Sequence, residues 1–141
     1  MSPTPSTPLS MAEPPVVPDI ALVAARAADD KLGEHTVVLA MGELFGVVDA
    51  FVVTSGRNDR QVRALVEEVE RKVKDHDGTA PIAVEGLSDA TWVLMDYGDF
   101  VVHVFAEQTR GFYDLEHLWS GAPRIAWQEP GSRQRAAAGA S

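Results

Sequence analysis

Apolar residues first recur at near-helical spacing at Ile20, Val23, Ala24, Ala27, Ala28 and Leu32. The run predicts a helix opened by Asp19 as N-cap after Pro18 and stopped by Gly33. TVVLA (36–40) then reads as a short apolar strand bounded by Met41–Gly42, and VVDAFVVTSG (47–56) as a second, closed by Thr-Ser-Gly. A long helix follows. Asn58 suits its N-cap, Gln61 stands three residues on as a capping-box-like partner, and Val62, Leu65, Val66, Val69 and Val73 line one face. Asp77–Gly78 ends it, and PIAV (81–84) is a third strand whose Pro81 suits a strand start or an edge.

The pattern says most over WVLMDYGDFVVHVF (92–105). Gly98–Asp99 fits the two central positions of a type II′ turn, so 91–97 and 100–106 are expected to pair as a hairpin. That register sets Tyr97 opposite Phe100, Met95 opposite Val102 and Val93 opposite Val104, which gives one apolar face for the core. Trp92, Leu94, Asp96, Val101, His103 and Phe105 share the other face, a mixture ill-suited to plain solvent. A final helix from about Thr109 to Trp119 supplies Phe112, Leu115, Leu118 and Trp119, with Gly111 pushing its start toward Phe112. The order α-β-β-α-β-β-β-α predicts an α/β domain: a mixed sheet of about five strands with flanking helices.

Composition narrows the class. The chain has 141 residues, 45% of them hydrophobic, enough for one domain with a sizeable core. That domain is expected over 19–127, between a proline-rich disordered tail at 1–18 and a second disordered tail at 128–141. With no cysteine, thiolate nucleophiles, disulfides and cysteine-ligated metals are excluded. The N-terminal stretch has neither the basic nor the apolar region of a secretory signal, and no apolar run reaches bilayer length. A soluble, cytoplasmic protein with no membrane partner is the expectation. The net charge of −9 argues against direct nucleic-acid binding. Its distribution is uneven: from Asp75 to Gly121 the chain carries nine acids and Arg110 as its lone Lys or Arg. Such a surface would steer a basic partner, although solubility alone also explains it.

Candidate chemistry is thin. Two-metal phosphoryl transfer needs converging carboxylates, and Asp96 and Asp99, spaced Asp-x-x-Asp across a turn, do not share a strand face. Asp99 fits a turn-former, and Asp96 and Asp49 fit local hydrogen-bond acceptors. His103 lies diagonally near Asp96, but no nucleophile other than Ser55 or Thr54 stands close, and His35, His76 and His117 are scattered singly. Thr54-Ser55-Gly56 before a helix could cradle a phosphate, yet it lacks a Walker lysine. What remains is an aromatic and apolar set, Trp92, Phe105, Tyr113, Leu118 and Trp119, in acidic surroundings, as a protein-binding patch requires.

The run W-V-L-M-D-Y-G-D-F-V-V-H-V-F…R-G-F-Y-D-L-E-H-L-W (92–119) resembles the ribosomal silencing factor family (RsfS, also called Iojap or YbeB), as does VVDAFVVTSG followed by a helix and IAVEG. The resemblance covers about residues 19–120. It implies a fold like that of nucleotidyltransferases without their active site, and a protein that is not an enzyme. It also implies docking on a basic protein of the large ribosomal subunit, number fourteen in the large-subunit series. There it would block joining of the small subunit and repress translation in starvation or stationary phase. Together with the face argument it marks Trp92, Leu94, Asp96, His103, Phe105, Arg110, Tyr113 and Leu118 as the contact set, with Trp92 and Tyr113 as anchors; no cofactor or metal is expected. The alternatives are a metal-dependent nucleotidyltransferase or phosphohydrolase using Asp49, Asp96 and Asp99, and a homodimeric adaptor.

Overall fold

The computed structural model describes residues 17–42, 48–113, 117 and 119–128, with Phe112 and Tyr113 described in backbone only. Both expected tails, apart from a few residues beside the domain, lie outside these, as do Leu115 and Leu118.

Helix α1 (Asp19–Asp30) leads into β1 (Glu34–Ala40) and β2 (Ala50–Gly56). Helix α2 (Asp59–Asp77), β3 (Ala83–Glu85), β4 (Trp92–Asp96) and β5 (Phe100–Ala106) follow, then α3 (Glu107–Tyr113) and β6 (Arg124–Ile125). The strands form one mixed six-stranded sheet in the order β3-β4-β5-β2-β1-β6. Five of them are the expected strands. β6 is added by two residues that pair Ile125 with Val38 and Arg124 with Leu39. No period-2 pattern can be read over two residues.

The caps explain the helix bounds. Asn58 Oδ1 accepts from the Gln61 backbone N–H at 2.9 Å, while Gln61 Oε1 accepts from the backbone N–H of Arg57 at 2.8 Å, so the reciprocal bond falls one residue before the cap. Gly78, at φ +83°, ends α2 as expected. Asp19 sits in the first turn of α1 rather than at its cap; Pro18 holds the cap position, and the carboxylate acts on the positive end of the helix instead. The chain leaves α1 through Lys31, and Gly33 N–H returns to the Ala28 carbonyl at 2.8 Å.

The pleat divides the domain into two cores. Val38, Val52, Val93, Met95, Phe100, Val102 and Val104 meet α1 and α2 on one face. α1 contributes only small buried side chains there (Ala21, Ala24, Ala25, Ala27 and Ala28), which lets its backbone lie close to the sheet and to α2. The opposite face buries Leu39, Phe51, Val53, Val101 and Phe105 with Met41 and Ala122, and packs on Trp119. The hairpin register is as expected, with Trp92↔Phe105, Val93↔Val104 and Met95↔Val102.

Gly86, at φ +86°, precedes β4, and a Cβ there would stand 2.3 Å from the carbonyl oxygen of Trp92. Gly86→Ala is therefore expected to cost roughly 2 kcal/mol or more, from strain and from displaced backbone at the head of β4. Urea denaturation checks this; an unchanged midpoint would contradict the close approach.

Candidate functional site

The second face is unevenly covered. Register places Glu85 beside Leu94 and Ala83 beside Asp96, so β3 and β4 extend this face beyond β5. Over β1, β2 and β5 it is roofed by Met41, Ala122 and Trp119. Over β3 and β4 it opens: Trp92 is 38% exposed, Glu85 is exposed, and Leu94 and Asp96 are half-buried. This stripe is the candidate site.

The predicted contact residues divide by depth. Trp92, Leu94 and Asp96 reach the surface, whereas Phe105, His103 and Arg110 lie beneath it. Phe105 is fully buried and packs against Trp92 at a centroid distance of 4.8 Å. Tyr113 is placed in α3 by its backbone alone, and Leu118 lies outside the described residues. Arg110 fastens α3 to the end of the sheet, donating to Ser55 Oγ at 2.7 Å and to the Glu34 carbonyl at 3.4 Å. Asp96 does not meet His103: its Oδ1 accepts the Gly98 N–H at 2.8 Å and closes the hairpin turn. Sequence reasoning missed Glu85, which is brought to the stripe by the β3–β4 register.

His103 is the buried centre of this region, 4% exposed. Its Nδ1 accepts from the Trp92 indole N–H at 3.1 Å. Phe51 meets the imidazole edge-on at 4.5 Å and Trp119 lies at 5.3 Å. Among the described residues Nε2 has no partner. Because Nδ1 accepts, the proton of the neutral ring resides on Nε2. Burial among these rings penalises the charged form and lowers the pKa from the usual 6.5 to about 4.

The alternative chemistry fails on geometry. Asp49 and Asp99 are joined through backbone, with the Asp49 N–H on the Asp99 carbonyl, and their carboxylates do not gather with that of Asp96 around a common point. Thr54 and Ser55 are fully buried, with their hydroxyls engaged by Thr36 and Arg110, so this segment serves as the closing end of strand β2. Among the described residues, side chains that could share a metal ion are Glu34, His35 and Glu107, whose ligand atoms lie within 4.8 Å of one another. A bulge in β1, with His35 at φ +54°, turns His35 toward Glu34. All three are exposed or half-buried, and Arg57 already pairs with Glu34 at 3.5 Å.

Three comparisons fit this architecture. A family model described as "Ribosomal silencing factor during starvation" matches residues 14–141. The ribosomal silencing factor RsfS of Bacillus subtilis is 42% identical over 101 residues, covering 72% of this chain and 85% of its own. A crystal structure of a Chromobacterium violaceum protein superposes with a TM-score of 0.68 at 32% identity, over 81% of this chain and 93% of that one. More distantly, mouse "Mitochondrial assembly of ribosomal large subunit protein 1" is 31% identical over 74 residues, 51% of this chain and 32% of its own. No helix among the described residues is long and apolar enough to cross a membrane.

The sign of the acid response follows from His103. Between about pH 6.5 and pH 4 the unfolded chain binds a proton that the folded chain refuses, so stability falls as pH drops through that window. The loss amounts to about 3 kcal/mol, most of it complete by about pH 4. In urea titrations at about pH 7.5 and pH 4, the parent should lose about that much more than His103→Phe, since other carboxylates titrate alike in both. Equal losses would contradict the buried neutral imidazole.

Proposed function

Because the chain belongs to the ribosomal silencing factor family, we propose that it docks through the β3–β4 stripe on the basic large-subunit protein number fourteen and keeps the small subunit from joining. Translation is thereby repressed in the cytoplasm under starvation or in stationary phase. The observation that carries this reading is Trp92: a large aromatic left 38% exposed on a face where Phe51, His103 and Phe105 are buried. Interface energy concentrates on such anchors, ringed by residues that exclude water. Leu94 extends the apolar centre, and Glu85 and Asp96 form an acidic rim. Arg110 is buried, and no other Lys or Arg falls between Asp75 and Gly121, so no cation of that stretch offsets the rim. A basic partner fits that charge. The mouse relative's name, which concerns assembly of the large subunit, points to the same ribosomal particle. His103, Phe105 and Arg110 support this surface from below, while Tyr113 remains a proposed second anchor on α3.

The test is co-sedimentation with purified large subunits, followed by addition of small subunits. The parent should pellet with large subunits and reduce joining. Trp92→Ala should weaken binding roughly tenfold or more while far-UV circular dichroism stays near parental, with a lower melting temperature because the buried His103 Nδ1 loses its donor. Asp96→Asn keeps an oxygen for the Gly98 turn while removing the charge, so it should weaken binding mainly at low salt. Unchanged co-sedimentation of Trp92→Ala would remove the stripe as the docking site.

A further inference from the structure

We propose that His103 is a positioning residue for the docking surface: its Nδ1 fixes the orientation in which the Trp92 indole lies over Phe105 and reaches the partner. This deepens the docking reading above and rests on it.

The position itself makes the case. His103 points into a pocket of aromatic rings, with Phe51 edge-on at 4.5 Å, Trp119 at 5.3 Å and Phe105 stacked at 6.0 Å. A phenylalanine would fill such a space with no polar atom to bury. The imidazole instead leaves Nε2 buried and, among the described residues, without a partner, a state that burial makes unfavourable. The bond it does make is the 3.1 Å acceptance of the Trp92 indole N–H. Trp92 occupies the head of β4, directly opposite Phe105 and two residues from Leu94, so its ring stands at the boundary between the roofed and the open halves of the face. An indole so exposed can satisfy its N–H with water by rotating outward. Acceptance by His103 removes that alternative and holds the ring as a preformed anchor, which lowers the entropy lost when a partner binds.

Two substitutions separate this role from plain packing. His103→Phe keeps the ring volume and removes the acceptor. His103→Asn shrinks the side chain but sets an amide oxygen close to where Nδ1 stood. Two readouts apply: co-sedimentation with large subunits, and the Trp92 indole N–H resonance in the free protein, assigned by its disappearance in Trp92→Phe. His103→Phe should weaken binding about fivefold, the worth of one net hydrogen bond, and should move the Trp92 resonance toward that of a water-exposed indole. His103→Asn should bind within about twofold of the parent even though it melts lower. In a Trp92→Phe background, which has no indole N–H, His103→Phe should add nothing. Binding that tracks ring volume rather than the acceptor, or an unmoved Trp92 resonance in His103→Phe, overturns the proposal. If Trp92→Ala binds like the parent, the docking reading fails by itself, while the resonance still reports whether His103 holds the indole.

Discussion

The parallel pairing of β2 with β5 is the constraint on which the rest of the domain depends. Seven residue pairs run in register from Ala50↔Phe100 to Gly56↔Ala106. Parallel neighbours cannot be joined by a tight turn, so the chain leaves the sheet after β2 through α2 and re-enters it at the far edge, through β3 and β4, before reaching β5. Central parallel strands are covered on both faces, which is why AFVVTSG is buried throughout and FVVHVFA is buried up to its last residue. Once the pair is set, alternation decides everything that faces outward. Val52, Val102 and Val104 go to the helices; Phe51, Val53, Val101, His103 and Phe105 go to the other side.

Polar groups on this pair are accordingly buried, and their partners define the edges of the domain. Thr54 reaches Thr36 across to β1 at 2.8 Å, and Ser55 receives Arg110 from α3. His103 receives Trp92 from β4. Each bond ties a central strand to the element that flanks it, so satisfying a buried group and locating a neighbour are one act. Trp127 does the same at the far edge, donating its indole N–H to the Thr36 carbonyl while its own carbonyl accepts from Arg26 of α1. Tyr97 is an exception: among the described residues its buried hydroxyl has no partner, and burial pushes its pKa up to about 12. Its ring stacks on Phe100 at 4.7 Å, so packing holds it in place of a hydrogen bond.

Legibility in the sequence followed the range of the interactions. Most local signals held, the Asp19 cap aside: Asn58 and Gly78 bracket α2, Gly98–Asp99 makes the hairpin, and the two faces of 92–105 separate as alternation requires. Partners brought from a distance were not. Two-residue β6 and the core role of Trp127 arise only from tertiary pairing with β1. Alternation sets His103 diagonally near Asp96, but Asp96 turns to its own Gly98 and His103 to Trp92. The same limit applies to the site. Alternation identified which face Trp92, Leu94, Asp96, His103 and Phe105 share; it could not say how far the roof over that face extends. Glu85 entered the stripe, and His103, Phe105 and Arg110 sank below it, for that reason.

That uneven roof joins stability to recognition. A sheet with helices on both faces would have no apolar surface left to offer, and a sheet bare on one face would expose an apolar area that invites self-association. Here the second face is closed where the central strands need cover and open where the hairpin reaches the β3 edge. The opening is held small by acidic neighbours, Glu85 and Asp96, which cost little in water and discourage contact with another acidic chain. On the docking reading proposed above, a net charge of −9 favours a basic surface over another acidic one. The exposed Trp92 is then tolerable in the free state because its indole N–H is bonded to His103 and its ring packs on Phe105. Those features are also what a preformed docking surface for a basic partner needs.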